Sequence, residues 1–287
     1  MAIGTTRSKR RLSRHVTPII KRSGLNADEV AKRVRCSKQS VYRLQSGDAL
    51  PRHHLLLSIL GVIGASEAER EKAIELWEIA DADDKVIKFA EYLPDPYMRF
   101  RMDEAEALSE RSLDMVIMPG LLQTTGYASA IWSASRRLIH NERWEERAIA
   151  ERSQRQELLL RNESPLQLHA LIDEAALRRI IGNREVIAAQ LDHLIQMAKL
   201  PNVTIQVLPF DLCAPGPYVG MMILLSYPES DEPDSAYWES MASGETVEDN
   251  ASVTALSDVW AAVAAAAPSP ERSTKIIKVV RGELKGR

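Results

Sequence analysis

Lys38, Gln39, Tyr42 and Arg43 crowd one short run, KQSVYRLQ, whose only aliphatic residues are Val41 and Leu44. On a helix, residues three apart share a face, so with Val41 and Leu44 turned inward the polar side chains turn outward together. Their chemistry is that of base-edge recognition. Lys and Arg donate to guanine O6 and N7, and Gln pairs with adenine N6 and N7. Ser37, just before the run, can cap the helix, and backbone amides at a helix start can hold phosphate oxygens. The expected partner is double-stranded DNA, approached through its major groove.

Such a face needs elements that hold it out. Leu12 to Ser23 reads as a first helix, with Val16, Ile19 and Ile20 on one side and Gly24 as its stop. Asn26 then caps a second helix and Glu29 completes a capping box, with Val30, Ala31 and Val34 inward. A tight turn through Arg35 and Cys36 leads to the helix from Lys38 to about Ser46, which Gly47 ends. Ala31 is small where two helices cross steeply after so short a turn. Arg7, Lys9, Arg10, Arg11 and Arg14 are expected to form an arm that adds phosphate or minor-groove contacts, with Arg10 and Arg11 as sequence-independent phosphate contacts, and Arg52 is counted among the DNA-binding residues.

ADEVAKRVRCSKQSVYRLQSG, followed by Pro51 and the apolar HLLLSIL, resembles the Cro/C1-type XRE helix-turn-helix domain over about Leu12 to Ile63. The resemblance implies a compact bundle of four or five helices with the Lys38 to Gln45 helix in the groove. It departs at Arg35, where that family usually has a left-handed glycine. A side chain there costs roughly 1–2 kcal/mol, which leaves room for a rearranged turn.

Charge supports a polyanionic partner for this head. Residues 1–55 carry 13 Lys and Arg against Asp28, Glu29 and Asp48, whereas the rest carries 24 basic and 37 acidic residues. A basic head on an acidic body is hidden by the net charge of −3. Cys36 and Cys213 make no disulfide framework or CxxC zinc site, and the six histidines are scattered, so no metal, cofactor or membrane partner is expected. No apolar run reaches the roughly 20 residues of a membrane span, and no signal-like apolar stretch follows the basic start. The expectation is a cytoplasmic protein.

At 287 residues two domains are expected. The fold class is α+β: an N-terminal all-α helix-turn-helix bundle joined to a mixed α/β C-terminal regulatory domain. The boundaries are 1–81 for the head with a connecting helix (SEAEREKAIELWEIA, with a Ser66/Glu69 capping box), 82–96 for a linker, and 97–287 for the body. In the body, MVIM before Pro119-Gly120 reads as a strand and Thr124 as a helix cap. Asn141 to Arg161 is a long helix with Glu151/Arg155 and Glu157/Arg161 pairs, PLQLHALID, NVTIQVLP and MMILLSY are strands, and two helices close the chain near 250–266 and 269–280. No nucleotide-binding or nucleophile-elbow motif is present. His169, Asp173 and Glu174 are the best local candidates for catalysis, but Asp173 reads more simply as a helix cap, and no catalytic residue is assigned. The tryptophans read as core or interface anchors, and the acidic run Glu229 to Asp234 as a solvated turn.

ERSLDMVIMPGLLQTTGYASAI, LIDEAALRRIIG, QLDHLIQMAKLPNVTIQVLPF and AYWES resemble the C-terminal domain of actinobacterial, antitoxin-like XRE regulators of the WhiJ-like type. That resemblance implies a transcriptional regulator, often encoded beside a small partner protein that it binds. The reading expected for the whole is a sequence-specific repressor that binds an inverted-repeat operator as a homodimer and senses a partner protein or ligand through its body. The alternative is an antitoxin-like protein whose main task is to bind the small partner, with DNA binding autoregulatory.

Overall fold

The computed structural model describes residues 7–81, 95–135, 144–212, 220–228, 233–239 and 244–284. The chain divides into two compact units between Asp103 and Glu104. The α+β expectation holds: helices alone form the first part, and a mixed sheet with helices forms the second. Most of the expected linker, residues 82–94, lies outside the described residues, and Asp95 and Pro96 already open a helix.

The head contains α1 (Arg7–Arg22), α2 (Ala27–Val34), α3 (Lys38–Ser46), α4 (His53–Val62) and α5 (Glu67–Asp81). Helix α1 starts at Arg7 rather than Leu12, so the basic segment is wound into the helix instead of forming an arm. Both bonds of the α2 capping box are made, Glu29 N–H to Asn26 Oδ1 at 3.0 Å and Asn26 N–H to Glu29 Oε2 at 2.8 Å. Ser66 and Glu69 repeat the device at α5. Arg22 clasps the same Glu69 with both terminal nitrogens at 2.8 Å and, with the cap bonds, holds its carboxyl down to about 2. Val16, Val30, Val41, Leu56, Ile59 and Leu60 form the core, and Trp77 ties α5 to Pro51 by a 2.7 Å bond from Nε1 to the carbonyl.

Helix α6 (Asp95–Glu106) crosses the division. The body is built on one sheet of order β3-β2-β1-β4-β5-β6. Its strands are β1 (Ser109–Asp114), β2 (Gln167–Asp173), β3 (Val203–Leu208), β4 (Met222–Ser226), β5 (Ser235–Glu239) and β6 (Gly244–Val247). The first three run parallel, β4 pairs antiparallel with β1, and β5 and β6 continue antiparallel. Helices α7 (Thr125–Ser135) and α8 (Trp144–Leu160) lie between β1 and β2 in the chain, and α9 (Glu174–Arg178) and α10 (Arg184–Met197) between β2 and β3. Two helices, α11 (Asn250–Ala266) and α12 (Pro270–Glu283), end the described chain. Val253, Trp260 and Val263 of α11 pack on Leu113, Leu171, Met222 and Leu224.

The first strand is not MVIM but the polar SERSLD that precedes it. Its alternate residues Glu110, Ser112 and Asp114 are buried. Across from them Arg155 of α8 binds Glu104 through Nε at 3.0 Å and Nη2 at 2.5 Å. Beside the Glu151 spacing partner expected from the sequence, Arg155 thus takes a partner 51 residues distant. For Glu110 and Asp114, burial disfavours the charged form by more than Arg155 offsets. Burial pushes Asp114 up to about 7 against the opposing pull of the Ser112 hydroxyl and Arg155, and burial with Glu104 beside it raises Glu110.

A stability slope follows. An unfolded Asp titrates near about 3.9, so between there and about 7 the folded body holds a proton that the unfolded chain has lost. Stability therefore falls as pH rises through that window and levels off above it. Asp114→Asn keeps an acceptor for the Ser112 hydroxyl and should flatten the slope in part, leaving the contribution of Glu110. Denaturation midpoints across the window measure it.

Candidate nucleic-acid interface

The turn between α2 and α3 keeps the left-handed geometry that its family resemblance calls for, with Arg35 in it at φ 56°, ψ 47°. Cys36 N–H closes the turn on the Ala31 carbonyl at 3.0 Å, and Ala31 itself is buried where α2 meets α3. Ser37 then caps α3, its Oγ accepting from Ser40 N–H at 3.1 Å. At the far end Gly47, φ 74°, closes the helix, and an added Cβ there would stand 3.0 Å from the Cα of Arg10. Glycine is needed both for the left-handed backbone and for the approach of α1.

Val41 and Leu44 are buried, and Ser37, Lys38, Gln39, Tyr42 and Arg43 are exposed at the start and along the outer face of α3. Tyr42 is 51% exposed. Lys38 reaches back to Asp28, Nζ to Oδ2 at 2.7 Å, with its ammonium 5.3 Å from the Tyr42 ring centre. The bond to Asp28 raises its pKa, so the cation stays charged and is held along the face.

Arg52, also exposed, occupies the N-cap position of α4 without a side-chain bond to the helix. Arg35, Arg43 and Arg52, with His54, border a depression of about 400 Å³ between the α2–α3 turn and α4. Sequence reasoning placed neither Arg35 nor His54 on this surface. The one available signal was Arg35 at a position where a side chain costs backbone energy. Replacing it tests that cost: Arg35→Gly should stabilise the head by about 1 kcal/mol, the left-handed penalty removed less the added freedom of the unfolded glycine. Chemical denaturation of the two proteins checks it.

Arg10 does not lie on this surface. With α1 beginning at Arg7, the helical spacing carries Arg7 and Arg10 inward, and Arg10 ion-pairs with Asp103 at 2.5 Å. Arg11 is half-buried on the same helix.

In the body, the three residues weighed for catalysis have structural partners. His169 meets Trp260 edge-on at 4.7 Å and shares a 2.6 Å hydrogen bond with Gln206, and burial lowers its pKa. Asp173 caps α9 by accepting from Ala175 N–H at 2.7 Å, and Glu174 binds Arg178 at 2.6 Å. No group of three His, Cys, Asp or Glu among the described residues could hold a metal ion. Of the acidic run before β5, residues 229–232 lie outside the described residues, and Asp234 pairs with Arg111 at 3.2 Å. No single helix among the described residues is long and apolar enough to cross a membrane.

Residues 7–73 match the family described as a helix-turn-helix domain, and residues 97–279 match the one described as a domain of unknown function, DUF5753. No curated protein and no solved structure matches the chain. The head is thus a helix-turn-helix unit of the kind that DNA-binding regulators carry, and α3 is its second helix.

Proposed function

We propose, for a chain that belongs to the DUF5753 family and carries a helix-turn-helix head, a sequence-specific transcriptional repressor whose body dimerises and receives a signal. The observation that carries the DNA part is the outer face of α3, where Lys38, Gln39, Tyr42 and Arg43 stand exposed while Val41 and Leu44 anchor the helix from behind. One such helix spans few base pairs, so a two-fold dimer with half-sites about one helical turn apart is the economical route to affinity. The WhiJ-like, actinobacterial resemblance of the body supports a small partner protein as the signal. Partner binding would favour a dimer whose recognition helices no longer match the groove spacing. With His169, Asp173 and Glu174 engaged in holding the fold, the body is read as regulatory rather than catalytic, and the protein as acting on operator DNA in the cytoplasm through its head.

The test is capture of fragmented genomic DNA by the purified full-length protein, with a Gln39→Ala/Arg43→Ala double variant as control. Enrichment of an inverted repeat by the wild type alone is the expected result. Its absence would move the head to protein contacts. On the recovered site, a dimer that neutralises about eight phosphates should show a log K against log salt slope near −7, or roughly ten-thousand-fold weaker binding between 50 and 200 mM salt.

A second reading is favoured by apolar side chains on segments that adjoin α9. Phe210 is 65% exposed, and Ile180 and Val279 are also uncovered. Side chains of this kind are what a protein partner buries. On this reading the protein is antitoxin-like, its main role is to bind the small partner, and DNA binding tunes its own synthesis. Co-purification of a small neighbour-encoded protein, with growth arrest when the regulator is depleted, would place this reading first.

A further inference from the structure

We propose that the depression bordered by Arg35, Arg43, Arg52 and His54 is a phosphate-binding site. No acidic residue is among the described residues that line it, and among the described residues none of the three guanidinium groups makes an ion pair. Other cations of the head are held differently. Arg22 clasps Glu69, Lys38 holds Asp28 and Arg10 holds Asp103. Three like charges around one hollow repel one another, and an anion seated between them removes that repulsion. Planar guanidinium groups match a phosphate's oxygens through paired N–H donors.

The backbone adds donors. Helix α4 opens at His53 with no side-chain cap and no acid in its first turn, His54 of that turn lines the same hollow, and a helix start offers unpaired amides to an anion. Leu55 and Val34 also line the hollow. At about 400 Å³ the hollow exceeds what a bare phosphate needs and accepts a phosphate carried on a larger body.

That phosphate has two possible sources, the DNA backbone and a free phosphate-bearing molecule. Because Arg43 belongs both to the hollow and to the outer face of α3, a free molecule seated here would compete with DNA. The backbone source rests on the DNA-reading function proposed above, whereas the site itself does not.

Two titrations of the full-length protein test this, each on the wild type and on Arg35→Gly/Arg52→Gln. Both substitutions are at exposed positions, and the first relieves strained backbone, so lost binding does not report lost folding. Inorganic phosphate at constant ionic strength should shift the His53 and His54 amide resonances saturably, with affinity about tenfold weaker in the variant. A non-operator duplex should bind the variant with a salt slope shallower by about two. A shallower slope assigns the site to backbone phosphate. An unchanged slope with weakened phosphate binding assigns it to a free phosphate-bearing molecule. If phosphate gives no saturable shift that the variant weakens and the slope is also unchanged, the proposal is overturned. A wild type that binds no duplex at any salt would instead sink the DNA reading, and the phosphate titration would then judge the hollow alone.

Discussion

Gln39→Ala and Arg43→Ala each weaken operator binding by about 1–3 kcal/mol at particular base pairs and relax specificity there. The expectation rests on placement. Gln39 and Arg43 stand one helical turn apart on the exposed face of α3, behind which Val41 and Leu44 fix the helix to the bundle. Truncating either leaves a base edge without its partner while the helix stays seated, so the loss falls on the matched base pair and not on all sequences. Binding of each variant to operators substituted one base pair at a time measures this. A uniform loss across every sequence would make the residue a phosphate contact, the outcome to watch at Arg43, which also borders the hollow beside α4.

The second large effect is in the body. Arg155→Met should destabilise it by about 3–5 kcal/mol near neutral pH, because Glu104 loses the guanidinium that binds it and stays buried. Methionine fills similar volume, which separates charge from packing. The penalty should shrink as pH is lowered to about 5, where Asp114, raised to about 7, and Glu110, raised as well, hold protons and no longer need the charge of Arg155. Denaturation at both pH values reads it, and an equal loss at both would assign the effect to packing. Gly120 belongs to the same arrangement, since an added Cβ there would run into the Arg155 guanidinium. The Pro119-Gly120 step therefore marks a close approach of backbone to a buried cation as well as a turn.

Legibility differed between the two units for a physical reason. In the head, the caps at Asn26, Ser37 and Ser66 and the stop at Gly47 act within a few residues, and the Val41–Leu44 stripe follows from helical spacing. In the body, Thr124, which accepts from Tyr127 N–H at 3.2 Å, and the alternating strands β2 and β3 were readable in the same way. Strand β1 was not. Its inward residues on one face are Glu110, Ser112 and Asp114, and a strand with polar residues on a buried face has no hydrophobic alternation to detect. Strands β5 and β6, short and antiparallel at one end of the sheet, have no sequence assignment for a similar lack of pattern.

By itself the sequence determined the order of helices in the head, the outward face of α3 and the separation of a basic head from an acidic body. These depend on hydrogen bonds and periodicities that span a turn or two of chain. Tertiary structure decided which cations face outward and which are withdrawn. Arg10 turns inward to Asp103 because α1 starts a full turn earlier than its apolar pattern shows, and Arg35, Arg43 and Arg52 share one hollow because the left-handed turn survives a side chain. It also paired Arg155 with Glu104 across 51 residues of sequence, a partnership of charge that no local spacing records.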